Sequence, residues 1–471
     1  MTGDGSAQAT EGEDGRSVNA AEEKGEGHGA MRFLCKPVII ILVAGIALRL
    51  ILDLFLTQAY DFYHWGVIVQ NINSGNGLYE LTGYFYTPPW GYILGLEAFF
   101  QDLFGITVTG VHATGMFPAE GVTGSTTSTI TAIAFNMSVK MIFLISDIAV
   151  GYLIFWLVRD ITKDRKKAAA GFALWFLAPC VMTVAAMGMF DTLCVLMTVM
   201  AVIMLRKDRY IESGVMLSMA ALMKFFPGFL IFIFIAYIIS KNREDGTSVR
   251  KAVMFITACA ATAFVLFLPQ LLDGTFMDSF LFITSRVDEG MGAGIIGTIG
   301  AYAALIVYAV VIVISVILAL RMKNITDREK LDTALFDTLL IAMAAIFIYP
   351  PTPQYILLLL PLVIIALNHN RRYIIPYCLL TVGAAVASVS GWPLGLASVA
   401  VHTDIIDLGA LIGIIQGYTS PLIGISAMEI VSLAGLAVQY IGVLYILWIR
   451  FGERIKDAVR NRTARKSSVS E

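Results

Sequence analysis

Long apolar runs, rather than alternation of apolar and polar positions, dominate the chain. The first, PVIIILVAGIALRLILDLFL, follows Arg32 and Lys36, is long enough to cross a bilayer and has no small-residue cleavage site, so it reads as an anchor with its basic start inside. Further runs fall at about 137–158, 168–187, 189–205, 211–223, 225–240, 252–270, 296–320, 332–349, 353–368, 373–391 and 427–449, which makes twelve candidate spans. Between the first two, Asp61 to Asn73 reads as an amphipathic helix ended by Ser74-Gly75-Asn76-Gly77. A second helix is predicted with Thr87 as N-cap and Pro88 at its first position. Its Leu94, Phe99 and Leu103 would lie on the membrane interface, with Glu97, Gln101 and Asp102 facing water or protein.

PPWGYILGLEAFFQDLFG (88–105) could pass for one more span, and charge decides against it. Of the 33 lysines and arginines, 27 fall in the segments 32–36, 159–167, 206–209, 241–251, 321–330, 371–372 and 450–466, all on one side if both termini are cytoplasmic. Were 88–105 to cross, RDITKDRKK would face outward. Residues 57–136 therefore read as one long extracytoplasmic loop bearing interfacial helices.

Composition agrees. With 58% hydrophobic and 14% charged residues among 471, and a mean hydropathy of +0.77, the chain lies outside the range of soluble domains, and the expected fold class is an all-α polytopic membrane protein. Residues 1–30, a Gly/Glu/Ala tail without aromatics, read as a disordered cytoplasmic segment; 31–450 form the transmembrane domain and 451–471 a basic cytoplasmic tail. The five cysteines have no paired spacing, which suggests neither a disulfide framework nor a metal knuckle. No nucleic-acid partner is expected.

The polar residues in or beside apolar runs are the candidates for chemistry. Asp61 and His64, three apart, share a helix face at the predicted outer surface; the plain alternative is a solvated carboxylate in an interfacial aromatic belt. Lys224, in MAALMKFFPGFLIF, would cost roughly 2.5 to 3.5 kcal/mol without a partner at mid-membrane, or else snorkels from a helix end. Asp191 in AAMGMFDTL, PPTPQY (350–355) and Arg286 fall on the same predicted side; an N-cap and helix punctuation are the plain readings of the first two. Lys140 and Asp147, seven apart on one helix face, read as a structural interhelical pair, and Arg49 and Asp53, four apart in the first span, as a packing pair.

The order of these stretches resembles a known family. An aromatic first outer loop with Asp61, then YFYTPPWGY, KMIFLISDIAVGYLIFWLV, FALWFLAP, AMGMFD, LMKFFP and TPQYILLLLPL looks like the GT-C superfamily of lipid-dependent glycosyltransferases. Within it the chain is most similar to glycosylphosphatidylinositol mannosyltransferase I and related polyprenol-phosphate-mannose enzymes, over roughly residues 37–370. The resemblance implies transfer of a hexose, mannose in those relatives, from a polyprenyl-phosphate carrier to a lipid-linked or glycan acceptor on the extracytoplasmic or lumenal face, with membrane lipid as surroundings. It implies an acidic residue of the first outer loop acting at the acceptor; Asp61 matches by its spacing to Gly75 and Tyr79. The family's Asp-x-Asp has Ala59 in its earlier position here, which weakens a metal site. No cofactor is required by the chemistry, and a divalent metal (Mg or Mn) stays open. In this reading Asp61 is the base, Lys224 holds the phosphate with Arg286 or His64, and Tyr86, Asp191, Gln354 and Tyr355 contact substrate. The rival classes are a multispan transporter, which would show an internal repeat and midplane helix breaks, and a non-catalytic subunit of the same fold.

Overall fold

The computed structural model describes the chain from Lys36 to Ser467 apart from short stretches, the longest being 115–126, 281–293 and 411–426. Residues 1–35 and Arg286, with Pro350 and Pro351, lie outside the described residues.

The described chain is a helical assembly. In order it forms α1 (Lys36–Phe55), α2 (Ala59–Asn73), α3 (Pro88–Phe104), strands β1 (Val111–Thr114) and β2 (Thr127–Ile130), α4 (Ile133–Thr162), α5 (Arg165–Phe176), α6 (Pro179–Met187), α7 (Asp191–Arg206), α8 (Tyr210–Met223), α9 (Ile231–Lys241), α10 (Ser248–Asp273), α11 (Gly294–Met322), α12 (Arg328–Ile346), α13 (Leu360–His369), α14 (Ile374–Gly391) and α15 (Ala427–Ser467). The strands are the departure from an all-helical expectation: they pair antiparallel, Val111 opposite Ile130, in segments rich in β-branched Val, Thr and Ile. The basic segment after residue 450 continues α15 as helix to Ser467.

Five described helices are long and apolar enough to cross a membrane: Lys36–Phe55, Ile133–Thr162, Ser248–Asp273, Arg371–Ser390 and Ala427–Gly452. The bent pair α5–α6, at 41°, is a sixth if it forms one span, and four more apolar helices are shorter. The expected twelve exceeds what length and composition establish helix by helix, because several crossings are interrupted. Lys224 separates α8 from a 3-10 turn over Phe226–Leu230, and a second 3-10 turn, Pro353–Leu358, precedes α13. Pro227 and Pro353 have no N–H to continue an α ladder.

Packing follows the absence of a hydrophobic drive between helices in lipid. Where α14 crosses α15 the backbones touch: a Cβ on Gly383 would lie 2.6 Å from the Gln439 nitrogen, and one on Gly435 2.7 Å from that of Ala387. Charges fasten α1 to its neighbours. Arg49 reaches Asp147 of α4 at 3.2 Å and donates to the Phe176 carbonyl of α5 at 2.5 Å. Lys140 of α4 donates to the Asp53 and Leu56 carbonyls, each at 2.6 Å, and to Thr57 Oγ1 at 2.8 Å. The salt bridge of Arg49 thus crosses to Asp147 on α4 and is not made with Asp53 on its own helix, while the ammonium of Lys140 caps the carbonyl end of α1, where a cation is favoured.

Candidate functional site

The turn that follows α1 is pinned from three directions. Besides the Lys140 bonds, Thr57 N–H donates to the Gly395 carbonyl (2.7 Å) and Gln58 N–H to that of Met187 (3.0 Å). α2 then starts, with Asp61 in its first turn, where the helix end favours an anion. The next residue, Phe62, is buried beneath Gly188, which caps α6 at φ +87°; a Cβ there would fall 1.8 Å from a Phe62 ring carbon. Only glycine serves. The α6–α7 turn is thereby pressed onto the helix that carries Asp61, and it delivers Phe190 and Asp191.

Lys224 enters from the break after α8. Its backbone is extended (φ −147°, ψ 128°), and Thr87, just before α3, donates its hydroxyl to the neighbouring Leu222 carbonyl. The ammonium lies 3.9 Å from Asp191 Oδ1 and over three rings: Phe190 at 4.2 Å, Tyr355 at 5.1 Å and Tyr86 at 5.2 Å from their centroids. Asp61 is close enough for its charge to act on both Lys224 and Tyr86. Lys224 is 9% exposed, so the carboxylates and ring faces supply what water does not. The lysine occupies a walled site and does not snorkel to solvent.

Asp191 is 1% exposed. Apart from its own amide, neither carboxylate oxygen meets a hydrogen-bond donor among the described residues. It is the first residue of α7, whose N-cap position is held by Phe190 and not by the aspartate. Gln354, in the 3-10 turn beside Tyr355, is buried with its Oε1 likewise without a donor.

Aromatic rings wall this cluster. Trp90 of α3 stacks on Phe190 at 4.9 Å and 11°, while Trp65 of α2 meets Trp90, Tyr86 and Phe190 at 5.4, 5.7 and 6.0 Å. Tyr86 meets Phe190 edge-on at 5.1 Å, and Tyr355 packs on Phe226 at 4.8 Å. Phe190, Trp65 and Trp90 were not expected from sequence; the one signal for Phe190 is its place just before Asp191.

The structure therefore gathers Asp61, Tyr86, Asp191, Lys224 and Tyr355, with Gln354 adjacent to the last. His64 sits one turn beyond Asp61, edge-on to Tyr63 at 5.4 Å. Burial lowers its pKa below the usual imidazole value, so it is neutral at pH 7. No three His, Cys, Asp or Glu side chains assemble as a metal site among the described residues.

All of these groups lie at one end of the helices. A cavity of about 580 Å³ lies at the other, between the ends of α4, α7 and α13, the start of α12, and α15 at Arg450. Its charges are largely paired with one another: Arg206 bridges Asp160 (3.0 Å) and Asp332 (2.8 Å), and Arg450 bridges Asp337. This hollow thus lies away from the carboxylate–lysine cluster, where the buried side-chain oxygens of Asp191 and Gln354 meet no side-chain donor among the described residues.

A model of glycosyltransferase family 87 matches residues 127–350, a stretch that holds Asp191 and Lys224 and leaves out Asp61, Tyr86, Gln354 and Tyr355. No curated protein matches the chain. The family match, taken with the long apolar helices, supports a membrane glycosyltransferase.

Proposed function

We propose that the protein moves a hexose, mannose by its resemblance to mannosyltransferase I, from a polyprenyl-phosphate carrier to a hydroxyl of a lipid-linked or glycan acceptor on the extracytoplasmic face. The observation that carries this reading is the buried ammonium of Lys224, 3.9 Å from Asp191 and within the field of Asp61, inside an aromatic wall. A sugar phosphoester brings its own leaving group, so the enzyme has three tasks: to take a proton, to align, and to neutralise charge. Asp61 accepts the proton of the acceptor hydroxyl as its oxygen bonds to the anomeric carbon. The bond from that carbon to the phosphate oxygen breaks, and its electron pair leaves on the polyprenyl phosphate beside Lys224. Attack opposite the leaving group inverts the anomeric centre. His64, neutral, serves as a hydrogen-bonding neighbour and not as a second cation.

The charge pattern supports twelve crossings, cytoplasmic termini and an outward 57–136 loop, which would set the cluster where a membrane-borne carrier presents its sugar. The test is incubation of purified protein with labelled polyprenyl-phosphate-mannose, or the glucose analogue, plus native lipid extract. Mass of the labelled product is expected to show one added hexose on a lipid or glycan. Absence of transfer from both donors would overturn the reading.

A further inference from the structure

The unusual feature of the cluster is what its acceptors lack. Asp191 carries four lone-pair sites on a carboxylate that is 1% exposed, and among the described residues only its own amide donates to it. The Lys224 ammonium at 3.9 Å compensates its charge but is too far to hydrogen-bond. The buried Gln354 Oε1 also has no donor, and Tyr355, the next residue, faces the same ammonium. Buried acceptors left unsatisfied are costly, and more so when charged. Such groups are retained where a ligand completes them.

The chemistry of the missing donors is constrained. An ionised phosphate offers only acceptors, so Asp191 repels it and Lys224 draws it. A cationic ligand would have to share the pocket with Lys224. A neutral hydroxyl brings a donor without charge. We propose that Asp191, together with Gln354, reads the hydroxyls of the donor sugar, the phosphate lying on the Lys224 side. Asp191 is then a specificity residue and not the base. Because Asp191 and Lys224 are adjacent, the hydroxyl that reaches Asp191 while the phosphate reaches Lys224 is the one vicinal to the phosphate-bearing carbon. The assignment rests on the glycosyl-transfer reading and names what that site discriminates: a donor with a free 2-hydroxyl against its 2-deoxy counterpart.

A site built to bond a substrate hydroxyl rejects the analogue lacking it far more strongly than an apolar pocket does, by about 10⁴ to 10⁵ in the best cases. The experiment compares kcat/KM for the polyprenyl-phosphate hexose and its 2-deoxy analogue in wild type, Asp191→Ala and Gln354→Leu, with thermal melting of each protein. Comparing that donor ratio between wild type and variant cancels the donors' difference in intrinsic reactivity. Wild type is expected to prefer the hydroxylated donor at least about a hundredfold, and Asp191→Ala to lower that preference to within tenfold by losing rate on the hydroxylated donor. Gln354→Leu is expected to lower it less, and it carries the test if Asp191→Ala does not fold. A wild-type preference that persists unchanged in the folded variants overturns the assignment and leaves sugar transfer standing, since transfer from the hydroxylated donor is measured in the same assay.

Discussion

At the end of the helices where α4 and α7 finish, Arg206 holds Asp160 and Asp332, Lys241 and Arg328 both hold Asp208, and Tyr237 donates to Asp332 at 2.5 Å. At the opposite end Asp191 is more deeply buried than any of these charged side chains, yet among the described residues only its own amide donates to it and one ammonium stands at 3.9 Å. The first end has a cavity and paired charges; the second has a buried carboxylate short of donors. Satisfied networks at helix ends fix geometry and need nothing further, whereas buried charge held short of hydrogen-bonding contact is costly unless a ligand completes it. The difference separates fastening from function, and each prediction below tests it at one residue.

The largest effect is expected at Asp61. Asp61→Asn keeps size and shape but cannot take a proton, so turnover should fall by roughly two to four orders of magnitude with melting temperature held. Near wild-type transfer by this variant would move the base elsewhere in the cluster.

Next come the fastenings. Arg49→Met leaves Asp147 buried beside α1 without its guanidinium and should cost about 3–5 kcal/mol, read as a lower unfolding midpoint in detergent. Removing both partners, Arg49→Met with Asp147→Leu, should restore much of that loss, because a buried pair can often be replaced by apolar groups. The same double replacement at Lys224 and Asp191 should leave activity absent even if stability returns. If instead the Arg49 pair fails to recover while activity survives at Lys224, the two regions have been assigned the wrong way round.

Lys224→Met is expected to weaken donor use about 10- to 100-fold, on the scale of a charge-assisted contact of some 1.5–3 kcal/mol. Donor KM measured at fixed acceptor checks it, and unchanged donor kinetics would make Lys224 a structural cation.

Much of this was legible in sequence, and the illegible part has physical reasons. The Gly-rich stop after Asn73 and the Pro88–Pro89 start bounded α2 and α3, because helix ends are written in local residues. The cost of a cation in apolar surroundings singled out Lys224 without any knowledge of its neighbours. Partner choice was beyond reach: spacing of four places Arg49 near Asp53 on one helix, but only the rotation of α1 against α4 turns Arg49 to Asp147 and Lys140 to the carbonyls ending α1. Likewise Leu94, expected on the membrane interface, is fully buried, while Gln101 faces inward to Glu97 and Ser138, because α3 lies against α4 with that face. The cage around Lys224 draws Tyr86, Phe190 and Tyr355 from three distant segments, a convergence that periodicity cannot encode.

The smallest effect is expected at the satisfied end. Asp208, in the loop between α7 and α8, is partly buried, which by itself would raise its pKa, but hydrogen bonds from Lys241 and Tyr210 and the charge of Arg328 outweigh this and hold it below the usual carboxylate value. A carboxylate with a depressed folded pKa stabilises above its unfolded value and loses that contribution as pH falls through the folded one. Because the group is largely exposed, the contribution is screened and should stay within about 1 kcal/mol. Wild type should therefore exceed Asp208→Asn slightly in unfolding midpoint across pH 5–8, and the gap should begin to narrow near the unperturbed carboxylate value of about 4 and close only below the lower folded one. A gap that does not narrow at all between pH 5 and pH 3 would mean that the aspartate acts through shape and not charge, and the paired end would then owe its order to packing.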